Sequence, residues 1–288
     1  MKSFVTSLIA VFALTIPFIA DLHGSEPELS GTCLVAGNGP ERYAIEALGK
    51  EFEALHPHTS IDFFWHENSR PVEEVQSGDA DIAVTGLIDK QLPSTIVAWD
   101  GIAVVTNFAN PIGEMTTDHL KNIFTGKLKY WSEVVEDGPE TRIRVINRSW
   151  NQNIRQGFEK LINISNKDSR RTRIVETETQ TFKAINGDIY SISYVSMGPA
   201  LKARRDGYGV TLQFIDNIEP EYQTVLDGTY PLRRPVVLVT QDTPSPIAKA
   251  FLNYVLSPKG QRAIKIGASG LFQDKTSSVI KYYPLKGS

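Results

Sequence analysis

The sequence predicts an α/β chain with room for two lobes. Short apolar runs alternate with segments whose apolar residues recur at helical spacing. The 288 residues suffice for two lobes of ordinary domain size, each with its own core. Composition agrees, since 41% hydrophobic and 22% charged residues are ordinary for a globular chain. The formal net charge of -3 supplies no basic field, which argues against nucleic acid as a partner.

Residues 1–20 read as an export signal. Lys2 supplies the positive start and Phe4–Ala20 the apolar run, with Pro17 near its end. A cut after Ala20 leaves Phe18 where a small residue is preferred, and a cut after Gly24 leaves Leu22 there. Removing residues 1–24 takes Lys2 and Asp21 away together and leaves the net charge unchanged. An uncleaved anchor is the alternative, because the apolar run is at the lower margin for spanning a bilayer. The flanks favour cleavage, with the product periplasmic or secreted. The single cysteine, Cys33, cannot form an internal disulfide. It lies well past the apolar run and reads as a small buried residue opening the first strand, not as a lipid anchor.

Residues 25–31 form a polar tether, and Cys33–Ala36 is a short strand. The turn Gly37-Asn38-Gly39-Pro40 then leads into a helix on which Tyr43, Ala44, Ala47, Leu48 and Phe52 share a face. Pro40 and Glu41 suit the first turn of that helix. Ser60–Trp65 reads as a strand, Pro71–Gln76 as a short helix stopped by Gly78, and Asp81–Val84 as a third strand. Ile102–Val105 is a buried-type strand that runs into an Asn-Pro turn, and a short amphipathic helix follows, ended by Gly126. Further on, Ile143–Ile146, Ile192–Val195, Val210–Phe214 and Pro235–Thr240 read as strands. Ile154–Ile162, Phe182–Ile185, Ile247–Leu256 and Gln261–Ile266 read as helices. No internal repeat or low-complexity tract interrupts the pattern.

Several of these segments carry a family resemblance. Asp100-Gly101-Ile102-Ala103-Val104-Val105-Thr106-Asn107-Phe108-Ala109-Asn110-Pro111 and then Ile123-Phe124-Thr125-Gly126-Lys127-Leu128-Lys129-Tyr130-Trp131 resemble the crossover region of the phosphate-binding proteins that serve ABC-type transporters. Ser191–Ser196 is similar to that family's Ala-Ile-Gly-Tyr-Val strand, and Asp227–Pro235 to its Gly-x-Tyr-Pro-Leu-x-Arg-Pro strand entry. The resemblance covers about residues 33–275, and its motifs are architectural, so they speak to the fold more than to the ligand. It implies a two-lobed periplasmic-binding-protein fold of type II, with crossovers near Ala103–Asn107 and Thr211–Ile215. Residues 25–104 and 215–288 would form a discontinuous first lobe and 105–214 the second. The ligand would lie between the lobes, at the carboxyl ends of strands and the amino ends of helices.

An oxyanion in such a cleft needs backbone N–H groups at helix starts, hydroxyls and an arginine. The resemblance supplies three loops. The family's Gly-Ser-x-Thr is here Gly37-Asn38-Gly39-Pro40. Asn38 keeps an amide donor and Gly39 an N–H, although a plain strand-to-helix turn reads equally well. Its Gly-Ser-Gly-x-Gly is here Glu67-Asn68-Ser69-Arg70-Pro71, with Asn68 or Ser69 at the serine position and Arg70 facing either an anion or its acidic neighbours. Asp81 aligns with a strand aspartate that the resemblance implies accepts a proton from the ligand, a device that would reject a fully ionised anion. The family's Arg-x-x-x-Ser-Gly-Thr-Arg is here Arg148-Ser149-Trp150-Asn151-Gln152-Asn153-Ile154-Arg155. Arg148 would clamp the anion beside Gln152 and Asn153, and Arg155 would support the loop. A lobe-to-lobe salt bridge is the other reading of Arg148. Amides thus stand where the family carries hydroxyls, and each brings an acceptor oxygen with its donor.

The main expectation is an extracytoplasmic protein that captures phosphate or a related oxyanion for a membrane ABC permease. It works as a monomer and needs neither cofactor nor metal. A diverged relative with a lost or altered ligand, acting as a sensor or interaction module, is the alternative. An enzyme is disfavoured. The sequence has no Gly-x-Ser-x-Gly elbow, His-Glu-x-x-His pair or Walker loop. His56-Pro57-His58 has no nearby third ligand and reads as a helix-ending turn.

Overall fold

The computed structural model describes residues 28–169 and 172–267. The export signal read at residues 1–24 lies outside the described residues. The first wall of the molecule starts with β1 (Gly31–Gly37), α1 (Arg42–Leu55), β2 (Thr59–Trp65), α2 (Pro71–Ser77) and β3 (Ile82–Thr85). The long β4 (Ser94–Asn107) then carries the chain into a second group. That group comprises β5 (Glu114–Met115), α3 (Thr117–Thr125), β6 (Arg144–Arg148), α4 (Asn153–Leu161), β7 (Arg173–Val175), α5 (Glu178–Asn186), β8 (Ser191–Ser196), α6 (Met197–Arg205), β9 (Val210–Leu212), β10 (Phe214–Ile215) and α7 (Tyr222–Asp227). The chain returns through β11 (Arg233–Thr240) and ends in α8 (Pro246–Leu256) and α9 (Pro258–Gly267).

The main sheet runs β2-β1-β3-β11-β4-β8-β6-β7, with β9 also paired to β4. β4 joins the halves. Its residues Ser94–Gly101 pair with β11, and Ile102–Thr106 pair with β8. Each half has its own core. Cys33, Leu48, Phe52, Ile82, Val236 and Phe251 anchor one, and Val104, Phe124, Trp131, Phe158 and Tyr194 the other. The cores divide between Ala98 and Ile102 and again between Leu232 and Val236. The molecule is therefore a two-lobed α/β protein.

Local chemistry sets the element ends. Gly78 (φ 83°) and Gly126 (φ 78°) close α2 and α3 in the left-handed conformation that a side chain disfavours. Thr116 starts α3 by accepting the His119 N–H at 3.0 Å, and Ser245 starts α8 by accepting that of Ala248. Cys33 is fully buried in β1, and burial, with the nearby Asp81 charge, pushes its thiol up to about 12. The strand read at Ile102–Val105 is the second half of β4, which begins at Ser94. Asp100-Gly101 interrupts the apolar run, yet Asp100 is buried and continues the strand because an arginine on β11 neutralises it.

Candidate functional site

The carboxyl ends of β1 and β6 meet across the cleft, each followed by a turn that opens a helix. On the first wall, Asn38 follows β1 and is only 7% exposed. Its Nδ2 donates to the carbonyls of Ser69 (3.1 Å) and Asn151 (2.8 Å), and its Oδ1 accepts the N–H of Asn153 at 3.1 Å. Ser69 is buried beside it and donates through Oγ to the Gly37 carbonyl at 2.9 Å. A second bridge between the walls runs from Asn151 Nδ2 to the Glu67 carbonyl at 2.7 Å. Gly39 is pressed so closely that a Cβ there would stand 2.1 Å from Asn153 Oδ1 and 2.2 Å from Glu41 Oε2.

The second wall is charged. Arg148, 4% exposed, ends β6 and donates from Nε to Gln152 Oε1 (2.9 Å), from Nη1 to Glu178 Oε2 (3.1 Å) and from Nη2 to the Glu176 carbonyl (2.7 Å). Gln152 also donates to that carbonyl at 3.0 Å, so it ties the turn before α4 to the turn before α5. Burial pushes the Glu178 carboxyl above the usual range, and Arg148 works against that shift. Arg155 donates to the Arg148 carbonyl at 2.7 Å and to Glu159 Oε1 at 2.8 Å, holding the loop from behind.

At the floor lies a third group. Arg234 of β11, 1% exposed, reaches Glu41 Oε1 at 2.6 Å and Asp100 Oδ2 at 2.9 Å. Glu41 Oε2 accepts from Asn153 Nδ2 at 2.9 Å, and Asp100 Oδ1 from Ser196 Oγ at 2.9 Å. Burial raises Asp100 to about 6; Arg234 opposes the rise and the Glu41 charge adds to it. Two carboxylates share one guanidinium here, and both are fully buried.

Two cavities flank the Asn38 bridge. One of about 390 Å³ is lined by Gly39, Tyr43, Trp65, Arg148, Gln152 and Glu178, among others. Its dimensions fall in the range of small-molecule sites. The other, of about 140 Å³, lies toward Ser69, Arg70, Thr85 and Trp150. Of the residues the sequence singled out, Asn38, Gly39, Ser69, Arg148, Gln152 and Asn153 come together around these spaces. Asn68 is exposed and lines neither cavity; its N–H donates to His66 Nδ1 at 3.1 Å. Asp81 lines neither as well, and its carboxylate accepts from the Leu34 N–H at 2.9 Å and Ser245 Oγ at 2.8 Å. Arg70 pairs with Glu73 at 3.1 Å and lies 5.6 Å from the Trp150 ring across the cleft.

Sequence reasoning gave no site role to Glu41, Asp100, Glu176, Glu178 or Arg234. Glu176 and Glu178 flank Thr177, between a strand end and a helix start, and that placement was the available signal. Arg234 and Asp100 sit within the architectural motifs, but no sequence spacing shows that the two motifs pair. Among the described residues no group of His, Cys, Asp and Glu could hold a metal ion, and no helix is long and apolar enough to cross a membrane.

A family model described as a PBP superfamily domain matches residues 25–259. The phosphate-binding protein PstS of Bacillus subtilis strain 168 is 26% identical over 254 residues, covering 85% of this chain and 82% of that protein. Among solved structures, a phosphate ABC transporter substrate-binding protein of Clostridium perfringens with bound phosphate superposes with a TM-score of 0.71 at 22% identity, over 82% of this chain and 97% of that one. An ABC-type phosphate transport receptor of Vibrio cholerae gives 0.70 at 21% identity, over 81% and 97%. These two likenesses establish the fold, and the named relatives are binding proteins.

Proposed function

The chain belongs to the PBP superfamily, and we propose that it is an extracytoplasmic solute-binding protein. It captures phosphate or a related small oxyanion between its lobes and delivers it to a membrane ABC permease. The carrying observation is the convergence at one cavity of the turns that open α1 and α4 with the buried guanidinium of Arg148. Helix starts and an arginine are the donors an oxyanion needs. The names of the relatives support phosphate as the solute, and the apolar run Phe4–Ala20 behind Lys2 supports export.

A second reading has its own observation. Both donors of Asn38 and three of the five N–H donors of Arg148 already meet acceptors of this chain, as a cleft that has changed or lost its ligand would show. Glu176 and Glu178 also line the larger cavity. A solute entering it meets carboxylates, which favours one that still carries a proton or hydroxyl to donate.

Calorimetric titration with inorganic phosphate separates the readings. The protein is first unfolded, dialysed and refolded to strip any carried ligand. Micromolar or tighter binding, with thermal stabilisation of about 3 kcal/mol at a hundredfold excess over Kd, supports capture. Absence of binding by phosphate, arsenate, phosphonates and phosphate monoesters would leave the sensor or interaction module as the reading.

A further inference from the structure

Asn38 is the only described side chain that bonds to both walls of the cleft at three separate main-chain groups. Its Oδ1 takes the N–H of Asn153, the first residue of the nine-residue α4. That N–H is directed by the helix toward negative charge, so the acceptor it prefers is an anion oxygen. A neutral carboxamide oxygen now holds that place. Its Nδ2, meanwhile, clasps one carbonyl from each wall. The cleft is thus closed by contacts made within the chain itself.

Resting on the oxyanion reading above, we propose that Asn38 is the specificity-determining latch of this cleft. Its carboxamide stands in for one oxygen of the solute, holds the lobes together when no solute is bound, and must be displaced for an oxyanion to reach the α4 amino end. Each of its bonds is neutral and of ordinary strength, so the latch can be exchanged for a charged acceptor. The amide carries two donors and one acceptor group fitted to Ser69, Asn151 and Asn153. A serine there would keep a donor but would be too short to fill the Asn153 site. A solute able to displace the amide has to make charge-assisted bonds at the same N–H, which disfavours neutral solutes.

The test measures small-angle scattering and phosphate titration on wild type, Asn38→Ser and Asn38→Asp, with circular dichroism to confirm folding. Asn38→Asp keeps the side-chain shape but removes both donors and sets a charge against two carbonyls. The latch predicts that ligand-free wild type is compact and that both variants are expanded. It further predicts that phosphate compacts Asn38→Ser and binds it about tenfold more tightly than wild type, the worth of one released hydrogen bond. Ligand-free wild type as expanded as the variants would overturn the latch, even if phosphate binds. So would an Asn38→Ser variant that binds phosphate no better than a wild type that does bind it. Expanded variants beside a compact wild type, with no phosphate binding by any of them, would confirm the closing role of Asn38. That result would count against the oxyanion reading alone.

Discussion

On the first wall of the cleft, the turns Gly37–Pro40 and Glu67–Arg70 meet their neighbours through a carboxamide and main-chain carbonyls. On the second wall and the floor, Arg148 and Arg234 sit buried against Glu178, Glu41 and Asp100. The two constructions differ in what they cost to break. A neutral hydrogen bond contributes roughly 1 kcal/mol net and can be traded for another. Removing one member of a buried ion pair leaves an uncompensated charge and costs about 3–5 kcal/mol. The charged network is therefore the costlier part to break and the neutral contacts the cheaper, although one bond of the floor, from Asn153 to Glu41, also joins the lobes.

The floor should give the largest effect. Replacing Arg234 with methionine strands Glu41 and Asp100 together in the core, so urea denaturation should show a loss of about 3–5 kcal/mol. A loss under about 1 kcal/mol would mean the floor is not held by charge. Acidity gives this cluster a signature. Asp100 is raised from 3.8 to about 6, so between those pH values the folded state holds more protons than the unfolded one. Its contribution to stability then falls as pH rises through that window and stays low above it. Asp100→Asn should flatten that slope, and an unchanged slope would assign it to another group. Arg148→Met comes next, at about 3 kcal/mol, because Glu178 loses its only ion-pair partner among the described residues. Adding Glu178→Gln should recover part of the loss. A loss in the double variant equal to the sum of the losses in Arg148→Met and Glu178→Gln alone would show that the pair is not coupled.

Much of the fold was legible because its signals are local. The apolar run Ile102–Val105, the helix stops at Gly78 and Gly126, and the alternation of strand with helix each depend on a few neighbouring residues. Asp100 shows where local reading stopped, since its burial depends on Arg234, far along the chain. The site was legible only in outline. The positions of Asn38, Arg148 and Asn153 follow from loops that open helices, but their partners are set by how the lobes meet. Asp81 illustrates the converse: its place at the start of a strand says nothing of Ser245, the side chain that takes up one of its oxygens.

The smallest effect expected on stability falls at Gly39, on the neutral wall, and it bears directly on the contrast between the walls. A Cβ there would stand 2.1–2.3 Å from the amide of Asn153 and the carboxylate of Glu41. Glu41 is fixed by Arg234, so Asn153 is the neighbour that gives way. It sits on the opposite wall, and its withdrawal would part the lobes without exposing either core. Gly39→Ala should therefore cost about 2 kcal/mol, through overpacking and the loss of the Asn153 bond to Glu41, while scattering shows a more expanded ligand-free protein. A cost comparable to that of Arg148→Met, with no expansion, would mean that the neutral wall is as fixed as the charged one. The lobes would then have no cheap place to part, and solute would have to enter by a route other than their opening.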